Sequence, residues 1–359
     1  MLILSPVICW RAPVTQAEFV HAVRQQAMWC RRLGSPLYGT LLERLAEDVD
    51  GGGACWRYLR RYADDPSRSL VPLRYLAMLH RMALAGEWPG LARCYPSCGG
   101  GADADGAWRE IRTNSGWVRQ EMPGGVQTNE IGRSRALRPG FLEIARRSGL
   151  PLALREIGTS AGLNLRWDHY ESEGAAEVVE RRGCDLNPID VTTDRGRLDL
   201  LCFVWPDQIA RFESLRDAIE VAARVPATLE RADAADWVER QFAHPLPGAC
   251  AVLFHSVVWL YLSDETQQRI RTTMQAAGER ATDDAPVAWL SMESGSEDGS
   301  DQAEVSVTFW PGGRQRVVAL AGYHGQDVVI LPDTRSGQQT ARSIHRRTSS
   351  PHGIFPPSL

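Results

Sequence analysis

The chain has 359 residues, 43% of them hydrophobic, enough to bury the core of one large domain or two ordinary ones. Its formal charge of −4 argues against a broad electrostatic attraction to nucleic acid or to an anionic membrane. No lysine occurs, so all 40 basic side chains are arginine, which excludes Schiff-base chemistry, a pyridoxal phosphate anchor and a P-loop lysine.

Met1 to Trp10 is apolar but lacks a positive leader and a small-residue cleavage site, so no signal peptide is expected there. No apolar run reaches the roughly 18 residues of a membrane span, and the cytoplasm is the expected location. The first third reads as helical. Thr15 and Glu18 have capping-box spacing, followed by Phe19, Val23, Ala27 and Cys30 on one face. Leu37, Leu41, Leu45 and Val49 predict a second helix ended by Gly51-Gly52-Gly53, and Trp56 to Ala63 and Leu70 to Ala85 a third and fourth. Cys94 to Ala107, rich in Gly, Asp and Ser, reads as an exposed loop. Eight cysteines are scattered through a chain too large to need disulfide staples, and are expected as reduced thiols. Cys94 and Cys98 alone make poor zinc ligands, so no metal site is expected.

A helical stretch follows Thr128-Asn129-Glu130, carrying Ile131, Leu137, Phe141 and Ile144, with Pro139 expected to kink it or start a new helix and Gly149 to stop it. From Leu152 strands alternate with helices. The expected strands are Leu152 to Ile157, Glu177 to Asp185, Pro226 to Asp233, Ala249 to His255 and Val287 to Met292. A helix is expected from Leu163 to Tyr170, and Pro206 interrupts a helical segment that resumes at Phe212. Ser263 caps a helix with Asp264 and Glu265 in its first turn. Val305 to Trp310, Pro311-Gly312-Gly313 and Val317 to Tyr323 predict a hairpin. The pattern is that of an α/β protein with a mostly parallel sheet and a C-terminal antiparallel hairpin, preceded by an all-helical N-terminal domain. The expected limits are 1–125 for the helical cap, 126–331 for the α/β domain and 332–359 for a disordered tail.

The most informative segment is Leu152 to Asp168, where an apolar strand runs into a small-residue turn. Gly158, Ser160 and Gly162 let the backbone bend tightly, and a following helix N-terminus would offer free N–H groups to polar ligand atoms. Glu156-x-Gly158-x-Ser160-x-Gly162 resembles the Asp/Glu-x-Gly-x-Gly-x-Gly signature of class I S-adenosylmethionine-dependent methyltransferases, with serine at the middle glycine. The resemblance implies a Rossmann-like core. It also implies a ribose-binding carboxylate at the end of the second strand, which falls on Asp185, and an adenine-reading pair at the end of the third, which falls on Asp233 and Ala234. Asn164 joins this cofactor-binding set. Asn129, Glu130 and Arg133 stand just before the first strand, where Arg133 would hold the cofactor's carboxylate and Glu130 its ammonium. His255 ends the fourth strand and is the candidate general base for the methyl acceptor, a small molecule or macromolecule that the sequence does not name.

Longer words carry a second resemblance. Thr128 to Ser134, Glu156 to Leu165, Arg182 to Asp185, Val204 to Gln208, His255 to Trp259 and Gly322 to Gly325 resemble the bacterial domain of unknown function DUF2332. The segment from Tyr170 to Glu177 is short for that family, and the tail past Gly325 is unlike it. The family implies no established activity. Two other functions fit the same pattern: a non-catalytic α/β scaffold with a degenerate cofactor site, motivated by Ser160, and a nicotinamide-dependent oxidoreductase, for which no hydride-transfer pair is recognisable. Metalloprotease, esterase and zinc-ribbon functions are disfavoured, the first and last for want of His-Glu-x-x-His and Cys-x-x-Cys.

Overall fold

The structure, a computed structural model, describes residues 15–63, 70–114, 122, 126–171, 176–295 and 302–332. Met1 to Trp10, Gly124 and Gly125 at the expected boundary, and the tail from residue 333 onward lie outside the described residues. Two compact units are present: one through Thr128 together with Leu198–Glu213, the other from Asn129 to Arg197 and from Ser214 through the C-terminal strands.

Among its described residues the first unit contains helices and no strand: α1 (Gln16–Arg32), α2 (Pro36–Asp50), α3 (Ala54–Leu59), α4 (Val71–Leu84), the single turn α5 (Pro89–Ala92) and α6 (Ala104–Asn114). Thr15 and Glu18 form the reciprocal capping box that starts α1, and Phe19, Val23, Ala27 and Cys30 are buried in one cluster with Leu41, Leu45 and Val49 of α2. The expected loop from Cys94 to Ala107 is ordered. Pro96–Cys98 makes a 3-10 turn, Asp103 accepts from the Gly106 N–H at 2.8 Å to open α6, and Cys94, Tyr95 and Ala107 are buried. Its Gly, Asp and Ser residues serve turns and a cap, and the apolar residues between them reach the core. Leu198–Glu213 belongs to this unit too, joining the end of α8 (Asp194–Leu201) to the start of α9 (Ile209–Arg224). Asp207 accepts from Ser35 Oγ and from the Leu37 N–H, so it anchors the first turn of α2. Buried His80 faces the Cys202 carbonyl, and burial pushes its pKa down to about 4.

The second unit is built on an eight-stranded sheet: β1 (Leu152–Ile157), β2 (Val178–Asp185), β3 (Thr228–Arg231), β4 (Cys250–Ser256), β5 (Val287–Ser294), β6 (Gln302–Trp310), β7 (Arg314–Gly322) and β8 (Val329–Ile330). Their order is β3-β2-β1-β4-β5-β6-β7-β8, parallel from β3 to β5 and antiparallel beyond. The chain is thus a mixed α/β protein with a mostly parallel sheet and antiparallel C-terminal strands. Strand alternation clothes both faces. On β4, Val252 and Phe254 point toward α7 (Gly132–Ser148), while Ala251 and Leu253 point toward α10 (Ala234–Gln241) and α11 (Asp264–Glu279). All six residues of β1 are buried, as a strand covered on both sides requires. Helix α7 runs unbroken through Pro139, so no second helix starts there.

Candidate functional site

Parallel strands bring the C-terminal ends of β1 to β5 to one edge of the sheet. The order reverses between β1 and β4, the switch point at which open α/β sheets take ligands. Two strained residues flank that point. Ser160, after β1, has φ +51°, and Val257, after β4, has φ +52°. The left-handed region costs an L-residue on the order of 1–2 kcal/mol, most for a β-branched one such as valine, and strain of this kind concentrates at functional sites.

The turn after β1 is held from several sides. Gly158 and Gly162 both have φ +67°, a conformation that glycine adopts without Cβ strain. Asp185, at the end of β2, accepts from the Ser160 N–H at 2.9 Å through one oxygen and from the Asn187 N–H at 2.8 Å through the other. A Cβ on Gly158 would overlap Val258. Ser160 is 7% exposed, and its Oγ is shielded from solvent without a hydrogen-bond partner among the described residues.

No α-helix follows this turn. Asn164–His169 is a 3-10 segment with Arg166 out of helical geometry. The Gly162 and Leu163 carbonyls accept the 3-10 bonds from the Leu165 and Arg166 N–H groups at 3.2 and 3.0 Å, and each takes a side-chain donor as well, Arg166 Nη1 at 2.6 Å and Tyr170 Oη at 2.7 Å. The expected helix N-terminus is therefore absent. Its place is taken by a buried guanidinium, which also donates to the Val225 carbonyl at 2.8 Å.

Glu156, the last residue but one of β1, is 2% exposed and accepts from Thr159 Oγ1 at 2.6 Å. Burial pushes its pKa up to about 8, with Asp185 adding to the rise and the Thr159 hydroxyl, Arg166 and Arg133 opposing it. The carboxyl is accordingly protonated at neutral pH.

Residues just before α7 and in its first turn meet this turn. Asn129 Oδ1 accepts from the Leu163 N–H at 2.8 Å, and Ser134 Oγ donates to Asn164 Oδ1 at 2.6 Å. Arg133 donates to the Tyr323 and Ser256 carbonyls, and Glu130 pairs with His324 at 3.2 Å. A Cβ on Gly132 would overlap the His324 carbonyl oxygen, and one on Gly325 the Gly132 carbonyl, so the turn after β7 lies directly on the start of α7. The third strand ends two residues earlier than expected. β3 ends at Arg231, and exposed Asp233 is the N-cap of α10, accepting from the Ala235 and Asp236 N–H groups, with Ala234 as the first helical residue.

His255 is 1% exposed at the end of β4, stacked on Trp259 with ring centroids 5.0 Å apart. The Trp289 indole N–H donates to its Nε2 at 3.0 Å. Indole nitrogen only donates, so Nε2 carries no proton and Nδ1–H donates to Glu293 Oε1 at 2.6 Å. The same Glu293 oxygen accepts from the Val258 and Trp259 N–H groups.

Sequence reasoning missed Thr159, Arg166, Trp289 and Glu293. The Glu293 signal was present, since an acid at the C-terminal end of a strand is the rule that selected Asp185. Also missed is that Gly158-Thr159-Ser160-Ala161-Gly162 spells Gly-x-Ser-x-Gly, the spacing of a nucleophile turn, which leaves the disfavouring of an esterase without a ground in the sequence.

The family model described as "Uncharacterized protein conserved in bacteria (DUF2332)" matches residues 20–176 and 171–329. The chain belongs to the DUF2332 family. The two stretches overlap at residues 171–176, and the match stops at residue 329. No curated protein and no solved structure matches the chain. Five of the six DUF2332 words meet at the sheet edge just described; the sixth, Val204 to Gln208, supplies Asp207 to α2 in the first unit. Among the described residues no helix is long and apolar enough to cross a membrane.

Proposed function

We propose that the second unit is the Rossmann-like module of an S-adenosylmethionine-dependent methyltransferase, with the helices of residues 1–125 as a separate cap domain. One observation carries this reading: a left-handed small-residue turn at the β1 side of the switch point, bonded through its backbone to Asp185 of the next strand. The strand order β3-β2-β1-β4-β5 supports it, being that of doubly wound sheets that take nucleotides at this edge. The donor set fits such a group. Ser160 Oγ is a buried hydroxyl with no hydrogen-bond partner among the described residues, and the Asp185 carboxylate stands beside it on the Ser160 N–H.

S-adenosylmethionine, when bound, supplies an electrophilic methyl group on a sulfonium centre. The chain's part is to hold the ligand at Ser160 and Asp185, with Glu130 and Arg133 beside the turn, and to take the acceptor's proton. That proton goes to His255 Nε2, and Glu293 balances the imidazolium through Nδ1–H. The Trp289 indole occupies Nε2, so the acceptor must first displace that bond.

Titrating the purified chain with S-adenosylmethionine, or with its demethylated product, is expected to give saturable heat that Asp185→Asn weakens. No saturable heat for either ligand at millimolar concentration refutes the reading. A second reading, a scaffold with a closed cofactor site, is favoured by Val258 filling the space beside Gly158 and by the occupied nitrogens of His255. It expects that negative titration.

A further inference from the structure

Ser160 carries two local costs. Its backbone is left-handed at φ +51°, where glycine would sit without strain, and its hydroxyl is buried without a hydrogen-bond partner among the described residues. Glycine at this position would remove both at once. The neighbouring strand end carries a matching outlier, Val257 at φ +52°, so the strain frames the switch point from both sides. The Ser160 N–H is fixed on Asp185, which holds the residue in this conformation.

We propose that the Ser160 hydroxyl, rather than the glycine backbone of the turn, makes a direct hydrogen bond to a ligand donor, a hydroxyl or ammonium group. The inference rests on the cofactor reading above and gives the serine at the middle glycine position a ligand contact of its own. A donor is the fitting class because the Asp185 carboxylate, which accepts from the Ser160 N–H, puts acceptor oxygen beside this residue. The Gly-x-Ser-x-Gly spacing does not make Ser160 a nucleophile, since no base lies within hydrogen-bond distance of its Oγ among the described residues.

The test uses the full chain with Ser160→Gly and Ser160→Ala, read by thermal unfolding and by calorimetric titration with S-adenosylmethionine and S-adenosylhomocysteine. Ser160→Gly is expected to unfold about 2–4 °C higher through relief of strain, yet to bind about five- to tenfold more weakly through loss of one hydrogen bond. Ser160→Ala keeps Cβ and the strain, and is expected to bind as weakly as the glycine variant. If the wild type binds and Ser160→Ala binds equally well, or Ser160→Gly binds more tightly, the hydroxyl contact is overturned while the cofactor reading stands. Covalent labelling of Ser160 by a fluorophosphonate overturns it in favour of a nucleophile. A wild type that binds neither ligand overturns the cofactor reading and this inference together.

Discussion

Replacing Glu156 by glutamine tests whether the β1 end is built around a buried, proton-carrying acid. The folded chain holds this proton up to about pH 8, whereas an unfolded glutamic acid releases it near 4.5. Below the lower value both states are protonated and the stabilisation is complete. Between the two values only the unfolded state has lost the proton, so stability falls as pH rises, and the loss is complete above the folded pKa. At about 1.4 kcal/mol per pKa unit, the displacement from 4.5 to about 8 corresponds to about 5 kcal/mol. Set against the ~5–15 kcal/mol of a typical domain, that is large enough to read directly. Urea denaturation followed by circular dichroism, at intervals between about pH 5 and about pH 9, should show the wild type losing about 4 kcal/mol more stability than Glu156→Gln, the remainder having gone below pH 5. Glutamine keeps the acceptor for Thr159 and removes the proton. Parallel pH profiles for the two proteins would refute the argument.

Two further predictions concern groups that hold the site in place. Arg166→Met leaves the Gly162 and Val225 carbonyls without their charged donor, and should destabilise the chain by about 3 kcal/mol in urea titration; an unchanged midpoint would show that the turn stands without it. Nitrogen-15 spectra of labelled protein should show His255 as the Nδ1–H tautomer, with a cross-hydrogen-bond coupling from the Trp289 indole. A protonated Nε2 would contradict the assignment.

Elements whose cause is local were legible in the sequence. β1 was readable because Leu152, Ala153, Leu154 and Ile157 are apolar and Pro151 and Gly158 bound the stretch, although Arg155 and Glu156 are buried within it too. The start of α1 was readable because Thr15 and Glu18 satisfy each other within one turn. Failures came where distant groups decide. Residues 164–169 turn helically as expected but in 3-10 form, with Arg166 and Tyr170 bonded to the carbonyls that start the segment and Arg166 itself fixed by Val225. α10 is eight residues long and follows its cap directly, so the acid at Asp233 passed for a strand end. The placing of Asp185 beside the turn was legible from strand order, whereas the bonds that occupy its oxygens depend on backbone positions in two separate loops. His255 was correctly placed at a strand end, but its partners come from β5, 34 and 38 residues further along.

The close seating of the turn after β7 on the start of α7 sets the order of events during synthesis. Glu130 and Arg133 leave the ribosome early, yet their partners His324 and Tyr323 are 194 and 190 residues downstream, so the sheet edge cannot close until nearly the whole described chain has emerged. Until then the acidic β1 end and the strained turn stand open, and contacts so far apart in sequence form slowly. Release of the last strands, rather than completion of the parallel sheet, is therefore the step at which a nascent chain first possesses its site.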